Sequence, residues 1–316
     1  MPNFLLTKII APASLSRLSI GSKQLSAVQR VDWQLIENVA TPSGWQARLD
    51  LEYELRGAKT RLTHKRQRGP LALQRSFYPE GNTCHSYLLH PPGGVVGGDS
   101  LQINVSAGAG AHSLLTAPGA TKFYRCAPQQ IARQTQRISV ADGGVVEWLP
   151  QPNIFFDGAN ATLATHIDIA PGARFIGWEL HCFGRPASQE PFACGSVRSQ
   201  THVHLAGELR LLEQFNTHND DALLTATGLR GLAMQGSFIA APCNDEHRRI
   251  VEQILLSQVG EQYPHPCGLT LVDEVLIVRA LGQQAEPMLA LFTRLWTELR
   301  GEWLHKTPCS PRIWAT

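Results

Sequence analysis

The sequence predicts a mainly β fold with two α-helices near its C-terminus, and three observations carry that reading. Apolar and polar residues alternate with period two over most of the chain, the mark of strands with one buried and one wet face. Clusters rich in glycine and proline punctuate the alternation. A helical period of apolar residues occurs in two segments, both after residue 240.

Residues 1–40 mix serine, leucine and proline without a firm period and read as a loosely structured N-terminal extension. Residues 41–316 contain no linker long enough to divide them and read as a single β-rich domain. The strict pattern begins where Trp45, Ala47, Leu49, Leu51, Tyr53 and Leu55 alternate with Gln46, Arg48, Asp50, Glu52, Glu54 and Arg56. The run Lys65-Arg66-Gln67-Arg68 reads as a solvated turn between strands. Leu101, Ile103 and Val105 repeat the alternation, as do Leu163, Thr165, Ile167 and Ile169. Turn clusters at 107–110, 142–144 and 170–173 recur every few tens of residues, which suggests stacked layers without a clean sequence repeat.

The first helical stretch, 245–259, gathers Ile250, Val251, Ile254, Leu255 and Val259 on one face, with Asn244 or Asp245 as N-cap and Gly260 past its end. The second, 287–300, gathers Met288, Leu289, Phe292, Leu295, Trp296 and Leu299 between Pro287 and Gly301; its apolar face with Phe292 and Trp296 fits packing on the body or a partner surface, packing being the default. Between them, 269–271 and 275–278 form a hairpin that turns at 272–274.

With 316 residues, 43% of them hydrophobic and 17% charged, the chain has the material for a large core and is not disordered. A net charge of +2 argues against a nucleic-acid or anionic-membrane partner, both of which want a basic excess. Seven cysteines with no Cys-x-x-Cys pair fit reduced thiols. The N-terminus has no signal-peptide core, and no apolar run approaches the ~20 residues of a membrane span. The expectation is a soluble, cytoplasmic protein.

The densest punctuation is His90-Pro91-Pro92-Gly93-Gly94-Val95-Val96-Gly97-Gly98-Asp99, continued by Gly119, Lys122, Tyr124 and Arg125. Glycine at that density fits a phosphate cradle, a tight β corner or a docking surface. The cradle is disfavoured, because neither Gly-x-x-x-x-Gly-Lys-Ser/Thr nor Gly-x-Gly-x-x-Gly occurs and strands flank the stretch. The serine-hydrolase elbow Gly-x-Ser-x-Gly is missing as well. Cys84 and His85 are strand neighbours that point to opposite faces, so Cys84 reads as a buried structural thiol and not a nucleophile. His202-x-His204 sets two imidazoles on one face. With Thr201, Val203 and Leu205 as the buried side and no third ligand apparent, the pair reads as solvent-facing. Glu80, Asp99, Asp157, Glu179 and Glu190 lie near the turns and fit either the lining of a polar passage or turn caps. No complete catalytic constellation is present, which points away from an enzyme.

Residues 77–81, 84–85, 88–99, 118–125, 147–151, 153–159, Gly177-Trp178-Glu179, Gly184-Arg185-Pro186 and Pro311-Arg312-Ile313-Trp314 closely resemble the UreD (UreH) family of urease accessory proteins. The resemblance covers nearly everything from Trp45 onward. Two departures stand out: Pro152, where the family more often has glutamate, and Cys126, where a small residue is usual. The resemblance implies a β-helix-like stack of many short strands with two α-helices near the C-terminus. It also implies a non-enzymatic maturation factor that docks on apo-urease and holds the helical accessory protein UreF, which recruits the GTPase UreG. Nickel is then a transient passenger in an internal polar tunnel, with Glu80, Asp99, Asp157, Glu179 and Glu190 as weak transit ligands and no tightly bound cofactor. His90, Gly93, Gly94, Gly97, Gly98, Gly119, Lys122, Tyr124 and Arg125 become a fixed turn region beside the passage or a docking surface. Two other readings stay open: an autonomous nickel-storage protein built on His202 and His204, and a β-helical carbohydrate-acting enzyme with Asp157 and Glu179 as paired carboxylates.

Overall fold

The computed structural model describes residues 44–217, 223–258, 260 and 262–315. All of them belong to the unit Pro42–Thr316; the extension expected over residues 1–40 lies outside the described residues, as does Val259.

The alternating strands build a β-solenoid of about four turns. Parallel neighbours require a crossover between them, and here each crossover is a strand of an opposing sheet. The first sheet runs in spatial order Glu208–Asn216, Ser196–Leu205, Asn160–Ile169, Ala132–Val140, Ser100–Ala107, Gln46–Arg56, Lys59–Arg68. Its five inner strands are parallel, and an antiparallel strand closes each edge. The second sheet stacks Cys84–Leu89, His112–Thr116, Val145–Leu149 and Arg174–Arg185 in parallel, then adds Met234–Ala241, Val275–Gly282 and Cys267–Val272 antiparallel. The turns between the sheets lie on one another. Gly108 N–H donates to Tyr53 O, Ala141 to Ala107, Ala170 to Val140 and Ala206 to Ile169, all at 2.8–2.9 Å. Layer stacking thus satisfies the turn backbone.

A third, narrow face aligns Thr121–Phe123, Asn153–Phe155 and the end of Arg174–Arg185. Along it Val95, Phe123, Phe155 and Phe183 form one buried ladder, with successive phenylalanine rings stacked at 5.0 and 5.4 Å. The lumen between the two main sheets holds one core, including Leu49, Val105, Ile138, Ile167, Trp148 and Phe175. The other face of the second sheet presents Leu114, Leu149, Ile176, Trp178 and Leu180 to Val251 and Ile254 of one helix and Phe292, Leu295 and Trp296 of the other. The second sheet is therefore buried on both faces, and Val145–Leu149 reads as an unbroken buried run. The first sheet keeps an open outer face and alternates.

Several expectations need correction. Lys65, Arg66 and Arg68 belong to the edge strand Lys59–Arg68 and not to a turn; Arg66 pairs across from Asp50, and basic side chains on an exposed edge deter unwanted pairing. Trp45 and Leu55, expected on the buried side, are 57% and 44% exposed because they sit at or beyond the strand ends. The C-terminal helix spans Ala285–Leu304 and runs through Gly301 to a left-handed cap at His305. Its buried stripe continues through Arg300 and Trp303, and that packing outweighs the about 1 kcal/mol that glycine costs inside a helix. The other helix, Asp245–Gln258, is capped by Asn244, whose Oδ1 accepts the N–H groups of Glu246 and His247 at 3.0 and 3.1 Å. The hairpin turns at Asp273 and Glu274 with φ of 45° and 66°, the left-handed pair of a type I′ turn. No described helix is long and apolar enough to cross a membrane.

The ring ladder joins successive coils, so Phe155→Ala is expected to lower stability by about 3–5 kcal/mol, read as a fall in the urea midpoint. Leu55→Ala, at an exposed strand end, is expected to leave the midpoint unchanged.

Candidate functional site

The lumen is not uniformly apolar. Gln134, Gln136, Thr165, Ser199 and Thr201 occupy inward, buried positions of the first sheet. Strand register pairs Gln136 with Thr165, Thr165 with Thr201, and Thr201 with Glu213. These polar residues thus form a row that crosses the coils and follows the solenoid axis. On the facing sheet, Glu179 and His181 pair in register with Ser237 and Gln235.

Two voids meet at Glu179. A cavity of about 390 Å³ is lined by Gln134, Gln136, Asn153 and Glu179, with His90, Gly93 and residues 118–122 at its turns. On the other side a constriction of about 10 Å³ is bounded by Glu179, His181, Ser199, Thr201, Glu213 and Gln235, room for one water at most. The Glu179 carboxylate accepts hydrogen bonds from Thr165 Oγ1 at 2.5 Å and Thr201 Oγ1 at 2.8 Å. Burial raises its pKa above the usual carboxylate range, against the pull of those two hydroxyls. Burial pushes His181 down to about 4, so its imidazole is neutral at pH 7. Gln136 Oε1 is buried without a hydrogen-bond partner, an unmet acceptor of the kind that a water or cation completes. Beyond the constriction, Arg279 Nε donates to Glu213 Oε1 at 2.6 Å.

The glycine-rich turns frame the larger cavity. A side chain on Gly94 would come within 2.1 Å of the Tyr124 ring, and Gly98 sits at φ +92° while its N–H reaches Ile131 O. Gly97 lies against Cys126 and Gln130, whereas Gly119 has neither a close neighbour nor a left-handed φ. Val95 N–H donates to Lys122 O at 2.7 Å and Tyr124 N–H to Val95 O at 2.9 Å, which ties the two turns together. Lys122 and Arg125 are exposed. His90 is half-buried, and burial lowers its pKa.

Of the five carboxylates singled out in the sequence, Glu179 is the one that lines both voids. Asp99 caps its turn by accepting the N–H groups of Trp45 and Val96 at 2.8 and 3.0 Å. Asp157 holds a corner through Arg125 and the amides of Ala193 and Cys194. Glu190 pairs with Arg185 at 2.7 Å. Asp157 and Glu179 do not face each other across one groove, as a glycosidase pair would. His202, expected to face solvent, is 5% exposed, because His166, His204 and the Gln200 and Leu212 positions crowd it on the outer face.

Glu80 belongs to a buried ionic cluster that the sequence reading did not find. Its oxygens meet His85 Nε2 at 2.6 Å and Arg300 Nη2. Arg300 Nε also donates to Glu147, which accepts Trp296 Nε1 at 2.5 Å and contacts His112 Nε2. Glu147 and Arg300 are 0% exposed. Burial alone would raise the Glu147 pKa, but His112 and Arg300 overcome it and hold it at about 2. The same balance, with His85 and Arg300 opposing burial, lowers Glu80. The available signal was a charged residue inside each apolar pattern: Glu147 within Val145–Leu149, and Arg300 on the helix stripe of Phe292 and Trp296.

The sequence profile of the UreD urease accessory protein family matches residues 46–315. A urease accessory protein UreD of Aliivibrio fischeri strain MJ11 is 45% identical over 280 residues, covering 87% of this chain and 97% of its own. Those of Escherichia coli and Pseudomonas putida GB-1 are 46% and 42% identical over 275 and 286 residues, each covering 98% of its own length and 87% and 89% of this chain.

The ionic cluster fixes the sign of an acid dependence. Glu147 is depressed in the folded protein from 4.5 to about 2, and Glu80 shifts the same way. Their contribution is present above 4.5 and is lost as pH falls toward 2. Glu147→Gln is expected to cost about 3–5 kcal/mol at neutral pH, as does breaking a buried pair, and to flatten the pH dependence of urea unfolding below 4.5. An unaltered acid slope contradicts this assignment.

Proposed function

The chain belongs to the UreD family of urease accessory proteins, and on that premise we propose that it is a non-catalytic maturation factor that conducts nickel to apo-urease through its lumen. The observation that carries this reading is the polar row of Gln136, Thr165 and Thr201 facing Glu179 where an apolar core would serve stability better. Its unmet acceptor on Gln136 and its shared carboxylate between two voids have the chemistry of a path.

Nickel is a borderline ion that oxygen and imidazole ligands accept. Amides and hydroxyls hold it weakly, and one carboxylate gives a single charged stop that the ion can leave. Neutral His181 beyond Glu179 supplies the next donor, and the Glu213–Arg279 pair stands at the far end. Nickel is cargo in this scheme, and no resident cofactor is needed. The turns at Gly93 and 118–122 line the cavity, and the exposed Lys122 and Arg125 beside them serve docking. In the cytoplasm the chain works on urease with UreF, and through UreF with UreG. Neither nucleic acid nor membrane takes part.

Glu179→Ala and Gln136→Leu, each co-expressed with urease and the full accessory set, are expected to reduce urease activity and its nickel content severalfold while the accessory complex still co-purifies. Asp99→Ala is expected to act through folding instead, with a lowered melting temperature from the loss of two turn hydrogen bonds. Full nickel loading by the Glu179→Ala, Gln136→Leu double variant in an intact complex would remove the lumen from the path.

A further inference from the structure

A further concavity lies outside the lumen, where the turns at Gly110 and Gly143 meet the end of the C-terminal helix. It measures about 400 Å³, within the range of about 300–1,000 Å³ that small-molecule sites occupy. It shares no lining residue with the two voids at Glu179. Leu55, Val145, Trp303 and Leu304 give it an apolar wall, and the ring of Trp303 is held edge-on by His247 at 5.5 Å. The ionisable side chains of the lining are all basic: Arg174, His305, Lys306 and the buried His112.

These groups come from separate elements. Arg174 opens the strand Arg174–Arg185, in register with Val145 of the same wall. Its guanidinium makes no hydrogen bond or ion pair among the described residues. His305 ends the helix Ala285–Leu304 at φ 50°, and Lys306 follows it. Lys306 Nζ donates to Asn82 Oδ1 at 3.0 Å; that acceptor is neutral, so the charge is not cancelled, and an ammonium has three donors. His112 is engaged through both ring nitrogens, with Thr83 and Glu147, and so belongs to the wall.

The charge balance of the lining is positive. The C-terminal end of the helix brings about half a negative charge, less than the two full charges of Arg174 and Lys306. Asp142 and Glu302, which adjoin Gly143 and Trp303 in the chain, are exposed and outside the lining. Charges beside a low-dielectric wall in a cleft act more strongly on an entering ion than charges on open surface.

We propose that this pocket binds a small organic oxyanion, with its carboxylate or phosphate head on Arg174 and Lys306 and its apolar body against Leu55, Val145 and Trp303. A guanidinium offers a planar fork that meets either head with two hydrogen bonds, and an ammonium adds a point charge. An inorganic anion would use the basic groups alone and leave the apolar wall without a partner. The site stands apart from the lumen and does not depend on the nickel path.

The test is calorimetric titration of the full chain with phenyl phosphate and with benzoate, beside inorganic phosphate and neutral benzyl alcohol. One equivalent of an aryl anion is expected to bind, more tightly than inorganic phosphate or benzyl alcohol, and the tighter of the two identifies the head. Arg174→Gln and Lys306→Gln should each weaken that binding about 10–100-fold, the worth of a hydrogen bond to a charged group. Lys65→Gln, which removes an equal charge from the exposed edge strand, should leave it unchanged, and circular dichroism melting shows that each variant folds. Binding of neither aryl anion, undiminished binding by the Arg174→Gln, Lys306→Gln double variant, or an equal loss in Lys65→Gln would each overturn the site.

Discussion

In-register stacking of parallel coils is the constraint on which the rest of this structure depends. The turn backbones bond layer to layer, so a residue at one inward position has its counterparts from neighbouring coils directly above and below. Side-chain chemistry therefore propagates along the axis in rows. Where the row holds Phe123, Phe155 and Phe183, stacked rings tie the coils together. Where it holds Gln136, Thr165 and Thr201, the same geometry makes a polar lane through what would otherwise be oil. The stabilising ladder and the proposed path are two rows of one lattice.

The two sheets divide their duties by burial. The second sheet is covered on both faces, and its outer face anchors the C-terminal helix through Glu147 and Arg300. Ionised groups without solvent are costly unless paired and hydrogen-bonded, and Glu147 and Arg300 find partners in each other and in Glu80, His112 and Trp296. In this arrangement the C-terminal helix brings Arg300 to both buried carboxylates, Glu80 and Glu147. The first sheet is covered on one face only, and its outer face keeps the alternation of buried and wetter residues.

For an accessory protein of urease this division makes sense. The conduit proposed for the lumen would have to be rigid around its bore and weak along it. The ring ladder and the anchored helices supply the rigidity; amides, hydroxyls and one enclosed carboxylate supply weak contacts. The glycine turns of 93–98 are fixed by close packing, as between Gly94 and Tyr124.

The sequence by itself determined three inner strands of the first sheet, around Leu51, Ile103 and Ile167, the hairpin at Asp273 and both helices, because a one-sided strand or helix must write its buried face into its period. It also carried the family, through the runs around Gly94, Gly119 and Trp178. It did not determine the helix end at Gly301, where buried Arg300 and Trp303 override a local stop. Nor did it show the Glu80–Arg300 contact, whose partners are 220 residues apart. Choosing Glu179 from among five similar carboxylates, burying His202 and lining up Gln136 with Thr165 and Thr201 all required register. Register is a relation between strands far apart in the chain, set by the stacked turns, and only the tertiary structure decided it.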